Sequence, residues 1–278
     1  MTEKDSEKTS PSAMRNGKEK VMVAIVTGAS SGIGYEVCLQ LLQKGYKVYG
    51  LSRRGTAPEG AAGRAVDISD EAAVSACIRE IAGVEGRIDL LVNNAGMGIS
   101  GPVEFASDED VRRIMDVNFL GAFHVTRAVL PYMREQRSGS IVYTSSVAAP
   151  ISIPYQAFYS ASKAALQAMA LALRNEVRDY GIRVSVVMPG DSGTGFTDAR
   201  RKTAGSDAYP RCEHAVSSME HDERNGIAPS KVAAVIVRAG TRRNPAPLYV
   251  AGFRYRLLLA LYNLLPARVA VWLVGKVY

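Results

Sequence analysis

Acidic side chains run out early in this chain. The last of them is Glu223. From Arg224 to the final residue, Tyr278, there are nine Lys or Arg and no Asp or Glu. With a net charge of +7 for all 278 residues, the portion up to Glu223 carries −2. A basic end of this kind can meet anionic lipid, but no nucleic-acid motif accompanies it and no nucleic-acid partner is expected. Cysteine is scarce: Cys38, Cys77 and Cys212 are odd in number and widely spaced. That pattern argues against a disulfide framework and implies reduced thiols and a cytoplasmic setting. Among the three histidines, His214 and His221 lie seven apart near Cys212, a spacing that matches no zinc pattern, so no metal is expected. Apolar runs are short as well, and none approaches the ~20 residues that cross a bilayer. The first twenty residues are charged and rich in Ser, Thr and Lys without an apolar core, which excludes a signal peptide and reads as a disordered tail over 1–20.

What the chain does have is a large apolar fraction, 47% of residues, in short runs that alternate with helical patterns. Strands are expected at Val21–Val26, Lys47–Leu51, Arg64–Ile68, Ile88–Val92, Ser140–Ser145, Ile182–Met188 and Pro247–Val250. Helical periodicity follows Gly34, then covers Asp70–Ile81 with Ser69 as cap, Asp108–Gln136 and Ala157–Tyr180, and Pro229 opens another helix. This alternation predicts an α/β fold: a single Rossmann-type, doubly wound parallel sheet over 21–251 with helices on both faces.

The first strand runs into Thr27-Gly28-Ala29-Ser30-Ser31-Gly32-Ile33-Gly34 and then a helix. Glycines in that context let backbone N–H groups and a helix N-terminus approach a phosphate. The second strand ends in Ser52-Arg53-Arg54, where an acidic residue would bind a ribose 2′-hydroxyl; Arg53 instead suits a 2′-phosphate, which predicts NADP(H). Asp67 ends the third strand where adenine would lie, and Asn93-Asn94-Ala95-Gly96 ends the fourth at the edge of a ligand crevice. Asn118 sits among apolar neighbours within a helical pattern, so burial would oblige it to find hydrogen-bond partners, at a kink or in a catalytic role.

Tyr159 and Lys163 are four apart, on one face if the segment is helical. A neighbouring ammonium favours phenolate and brings a tyrosine toward acid–base work. Ser146, just beyond the fifth strand, is placed to hold a carbonyl oxygen facing that pair. After Pro189-Gly190, residues 191–228 are polar and irregular and read as a lid carrying substrate contacts. The basic, apolar segment 252–278, interrupted by Pro266, has two readings: it covers the substrate cleft or a partner subunit, or it lies in a membrane interface with Trp272 at the boundary.

Together, the glycine motif, Asn93-Asn94-Ala95-Gly96, Asn118, Ser146, Tyr159-Ser160-Ala161-Ser162-Lys163 and Pro189-Gly190 resemble the short-chain dehydrogenase/reductase family in order and spacing, over about Val21 to Val250. The resemblance implies that Tyr159 is the general acid or base, that Lys163 lowers its pKa and bonds the nicotinamide ribose, that Ser146 positions the substrate oxygen, and that Asn118 extends the proton relay. It implies that Gly28, Ser30, Ser31, Ile33 and Gly34 meet the adenosine and pyrophosphate end, with Ser31 and Arg53 near the 2′-phosphate. Asp67 and Ile68 would flank adenine, and Asn94, Ala95 and Gly96 the adjoining ribose. Pro189, Gly190, Ser192 and Thr194 would meet the nicotinamide, although the family usually has an aliphatic residue where Ser192 stands. Gly98, Pro102, Arg53 and the tail are similar to the hydroxysteroid and retinol dehydrogenases. That likeness implies a bulky apolar ketone or secondary alcohol, with a long-chain lipid ketone or a retinoid as the alternative. Because fold does not dictate function, a non-catalytic dinucleotide-binding regulator or membrane-surface scaffold is the reading of a different class. The family also implies a homodimer or homotetramer built from the two long helices.

Overall fold

The structure of the chain is a computed structural model that describes residues 21–278, so the tail expected over 1–20 lies outside the described residues. Short, largely buried apolar runs make the centre of the sheet. Strand β1 (Val23–Thr27) is buried along its whole length and leads through the glycine turn into helix α1 (Gly32–Gln43). β2 (Lys47–Ser52) and β3 (Ala62–Ala65) follow, then α2 (Glu71–Glu85) and β4 (Leu90–Asn93). A short β5 (Ile99–Ser100) precedes α3 (Asp108–Met115) and α4 (Gly121–Gln136), and β6 (Gly139–Thr144) enters α5 (Ala157–Glu176). β7 (Ile182–Pro189), a short β8 (Arg201–Lys202), α6 (Cys212–Arg224), α7 (Pro229–Thr241), β9 (Leu248–Ala251), α8 (Phe253–Leu264) and α9 (Ala267–Val277) complete the order.

Seven strands form one sheet in the order β3-β2-β1-β4-β6-β7-β9, and every pairing in it is parallel. Both faces are covered, as a parallel sheet requires. One face packs residues such as Ile25, Leu91, Ile141 and Val184 against Ile78, Val125, Val129 and Leu166 of α2, α4 and α5. The other packs Ala24, Val26 and Val142 against Val37, Leu41, Val232 and Ile236 of α1 and α7. Each buried Val, Leu or Ile among them stabilises the fold by about 1.5–3 kcal/mol. Strand order reverses between β1 and β4, and the carboxyl ends of these strands part there to leave the crevice in which ligands of such folds bind.

Several boundaries differ from the sequence expectation for local reasons. β3 stops at Ala65, so Asp67 and Ile68 lie in the loop beyond it. The cap of α2 is Asp70, whose side chain accepts the Ala73 N–H at 3.0 Å, while Ser69 donates instead to Asp67. The single helix expected over 108–136 is two helices joined by a π-helical turn, Asp116–Leu120. The wide turn carries Asn118 into the interior, where it is fully buried. Ser146 stands two residues past the end of β6, and α5 ends at Glu176, before the short helical turn Arg178–Tyr180 and a left-handed Gly181. The expected lid is more ordered than its composition implied: α6 occupies a third of it and packs Cys212, Ala215, Val216 and Met219 inward, with Tyr278 against them.

Candidate active site

The β1–α1 turn forms one wall of a cleft of about 780 Å³ that opens at the carboxyl edge of the sheet. Gly28 has φ +70°, and a Cβ there would stand 2.9 Å from the Ala95 Cα. A Cβ on Gly34 would collide with the Gly28 carbonyl oxygen. These two glycines therefore let α1 and the β4 turn close against the loop. Thr27 holds that closure, because its hydroxyl accepts the N–H groups of both Asn94 and Ala95 at 3.0 Å, while the Asn94 side chain donates back to the Thr27 carbonyl at 3.2 Å. Ser30, Ser31, Ile33, Arg53, Asp67, Ile68, Asn94, Ala95 and Gly96 all reach this wall. Gly34 and Asn118 stand behind it. The Asp67 carboxyl accepts from the Ser69 hydroxyl at 2.7 Å and its backbone N–H at 3.0 Å. Those bonds, with help from Arg53 and Arg113, hold it below the usual carboxylate range. The wall fits a dinucleotide: it presents a helix N-terminus, a backbone surface that a Cβ would fill, and a cation, Arg53, beyond β2.

At the other end of the cleft, α5 presents Tyr159 and Lys163 one turn apart. The Lys163 ammonium lies 5.9 Å from the Tyr159 ring centroid and donates to the Thr144 carbonyl at 2.9 Å. Ser146 faces the same phenol, and its Oγ accepts the Ala148 N–H at 3.1 Å, which fixes the β6–α5 turn. Ser145 and Ser162 lock the start of α5, donating to the carbonyls of Lys163 and Tyr159. Behind Lys163, the Asn118 side chain accepts the Met97 N–H at 2.8 Å and donates to the Met97 carbonyl and to Ser162 Oγ, each at 3.0 Å. A full set of partners is what a buried amide needs, and it ties the π turn to the loop after β4 and to α5.

Burial dominates the electrostatics. It pushes the Tyr159 phenol up to about 12; contact with Ser146 opposes this, Glu223 and Asp191 add to it, and Arg200 works against it. Burial likewise brings Lys163 down to about 8. The expectation that Lys163 lowers the tyrosine pKa is not what this geometry gives. Desolvation outweighs an ammonium that points at Thr144, and Tyr159 is a neutral phenol near neutral pH. A proton donor is the role that protonation state suits.

The segment after β7 closes the end of the cleft that holds Tyr159. Pro189, Gly190, Ser192 and Thr194 line it, and Ser192 Oγ donates to the Ile227 carbonyl at 2.8 Å. Phe196 leans on Tyr159 with ring centroids 5.7 Å apart. Met97, Ile153, Met219 and the C-terminal Tyr278 add apolar surface nearby. Tyr255 of α8 fills the space beside Gly190 and donates to Asp191 at 2.6 Å. Sequence reasoning missed Thr27, Phe196, Tyr255 and Tyr278. Thr27 opens the glycine motif and so was legible, whereas the others come from the irregular lid and tail.

A model of the short chain dehydrogenase family matches residues 22–205. Among curated relatives, the chain is 40% identical over 228 residues to the 3-ketodihydrosphingosine reductase of Bacteroides thetaiotaomicron, covering 80% of this chain and 85% of that protein. It is 31% identical over 269 residues to Retinol dehydrogenase 8 of Bos taurus, covering 87% and 85%. Among solved structures, a short-chain dehydrogenase from Streptomyces avermitilis superposes with a TM-score of 0.81 at 29% identity, over 89% of this chain and 94% of that one. With a matched model spanning most of the sheet and relatives aligned along most of their length, the chain belongs to the short chain dehydrogenase family and is an oxidoreductase of that family.

Proposed function

We propose that the protein is an NADP(H)-dependent reductase of a ketone on a long, apolar, lipid-like substrate, a keto-sphingoid base being the favoured class. The observation that carries the reaction type is the convergence of Ser146, Tyr159 and Lys163 on one end of a cleft whose other end is the glycine turn. Preference for the 2′-phosphorylated cofactor is supported by Arg53 on the wall beyond β2, with no carboxylate following that strand before Glu59. The bound nicotinamide supplies the hydride. Ser146 donates a hydrogen bond to the substrate carbonyl oxygen, and Tyr159 gives that oxygen its proton as the carbonyl carbon receives the hydride, so the ketone becomes a secondary alcohol. Lys163 returns a proton toward Tyr159 and bonds the cofactor ribose, and a water held at Asn118 would resupply Lys163. Pro189, Gly190, Ser192 and Thr194 orient the nicotinamide, and Asp67, Ile68, Asn94 and Ala95 hold the adenosine half.

The sequence reading ranked a hydroxysteroid-like substrate ahead of a lipid ketone or retinoid. Similarity to a 3-ketodihydrosphingosine reductase at 40% identity favours reversing that order. The apolar lining contributed by Met97, Ile153, Phe196 and Met219 accepts either class. The test is NADPH oxidation with 3-ketodihydrosphingosine, ketosteroids and retinal, with NADH in parallel and Tyr159→Phe as control. Turnover of the lipid ketone, lost in the variant, is the expected result. Turnover confined to a steroid or retinal would restore the first ranking, and faster turnover with NADH would overturn the reading of Arg53.

A further inference from the structure

Ten of the nineteen large apolar side chains that are substantially exposed among the described residues lie in the last 26 residues, on α8 and α9. On α8 they include Phe253, Leu257, Leu261 and Leu264, the last 81% exposed; on α9 they include Val271 and Trp272, the latter 60% exposed. A density this high over two helices is far from the scattered exposure of an ordinary surface. The helices are nonetheless fixed. Leu259 joins the main core, where Tyr262 and Val274 pack against it, and Tyr278 packs on the α6 cluster. Few residues serve as anchors, and most of both helices faces outward.

From this placement we propose that α8 and α9 form a docking surface for an anionic lipid bilayer, lying in its interface and holding the mouth of the cleft against it. Charge selects the occupant. Arg254, Arg256, Arg268 and Lys276 are exposed on the same two helices, and no carboxylate side chain follows Glu223. A second copy of the chain docking through this face would bring four cations against four cations, whereas anionic headgroups neutralise them. Length selects the geometry: α8 has 12 residues and α9 has 11, and no helix among the described residues is long and apolar enough to cross a membrane. Short helices with apolar and cationic groups in close alternation lie in the interface instead. The same segment reaches the cleft, because Tyr278 lines it and Tyr255 bonds Asp191 beside it. An apolar substrate dissolved in the bilayer thus meets the cleft at the docked surface.

The test is flotation of the full chain with phosphatidylcholine vesicles, with and without phosphatidylglycerol, at low and high salt. The variants are Arg254→Glu/Arg256→Glu and Leu261→Ser/Trp272→Ser. All four positions are exposed, so both variants keep the fold, which a thermal melt verifies. The wild type is expected to float with the anionic vesicles and to be released by salt. The charge variant loses about fivefold or more in affinity for each cation removed, and the apolar variant loses binding to the anionic vesicles at low salt, where the wild type floats. Binding is read without turnover, so it stands or falls separately from the reductase proposal. A wild type that stays unbound with anionic vesicles overturns the proposal. So does a dimer in sedimentation that Leu261→Ser/Trp272→Ser dissociates while vesicle binding is absent, which would assign the face to a second copy. Equal binding to pure phosphatidylcholine, indifferent to the arginine substitutions, overturns the requirement for anionic lipid.

Discussion

Lys163 donates to the carbonyl of Thr144 at 2.9 Å from a side chain that is almost fully buried. The bond holds the ammonium beneath Tyr159, in a place where its charge is costly. Burial brings its pKa to about 8 against an ordinary 10.5. Between those values the unfolded chain binds a proton that the folded chain has released. The stability contribution of this group therefore rises with pH across that window and is lost again as pH falls through about 8. Lys163→Met keeps the volume and removes the charge. The variant is expected to be more stable than wild type at neutral pH by on the order of 2 kcal/mol, with the difference shrinking toward pH 10.5. Urea denaturation of both proteins across that range checks it, and a difference independent of pH would contradict it. In the reductive direction, kcat/KM of the wild type should be level below about pH 8 and decline above it as Lys163 loses its charge.

Gly96 lies between two groups of the site. A Cβ added there would stand 3.2 Å from Asn118 Oδ1 and 3.3 Å from Lys163 Nζ. Gly96 has no positive φ, so alanine imposes no backbone strain of its own. Gly96→Ala should therefore fold with a stability within about 1 kcal/mol of wild type yet lose most of its turnover, because the methyl group occupies the path from Lys163 toward Asn118. A thermal melt beside a steady-state assay separates the two effects. Unchanged kcat would remove Asn118 from the proton path.

Arg53 is exposed on the cofactor wall and close enough to Asp67 to help lower its pKa. If it grips a 2′-phosphate, Arg53→Glu removes a charge-assisted bond and adds repulsion. The expected consequence is a loss of roughly 10- to 100-fold in NADPH affinity with NADH nearly unaffected. Fluorescence titration with both cofactors measures it directly, and a parallel loss for the two would leave Arg53 without a role in the choice.

The parts of the site built on regular elements were legible in the sequence. Buried runs end in the glycine turn and in Asn94–Gly96, and the four-residue spacing of Tyr159 and Lys163 needs only a helix to make it a pair. Other features depend on choices that periodicity does not encode. The π turn at Asp116–Leu120 preserves the apolar pattern on either side of it, so a single long helix and two helices look alike in sequence. β3 ends at Ala65 although Val66 and Ile68 continue the apolar alternation, because its pairing with β2 stops at Ser52. The direction of the Tyr159 shift was misread for a physical reason: spacing shows a neighbouring charge but not the burial that outweighs it. Residues 191–228 looked irregular because α6 has a narrow buried face of only four residues, Cys212, Ala215, Val216 and Met219.

Within that segment lies a test of how the substrate end is held. Arg200 is almost fully buried and pairs with Glu223, which also accepts the Thr197 hydroxyl at 2.6 Å. The guanidinium also sits 5.9 Å from the Phe196 ring, and Phe196 packs on Tyr159. One ion pair thus ties the loop after β7 to α6 and keeps an aromatic wall beside the Tyr159 phenol. Arg200→Met strands the Glu223 carboxylate. Breaking a buried pair costs about 3–5 kcal/mol, and Glu223 keeps Thr197 and some solvent, so roughly 2–3 kcal/mol is expected. The double variant Arg200→Met/Glu223→Gln removes the stranded charge and should recover at least half of that loss. If the pair only stabilises, catalysis recovers with the fold. If it positions Phe196, KM for the ketone stays raised in the double variant while cofactor affinity is normal. The second outcome is expected, because methionine restores volume but not the cation over the Phe196 ring, and a full return of KM to the wild-type value would reduce Arg200 to a structural residue.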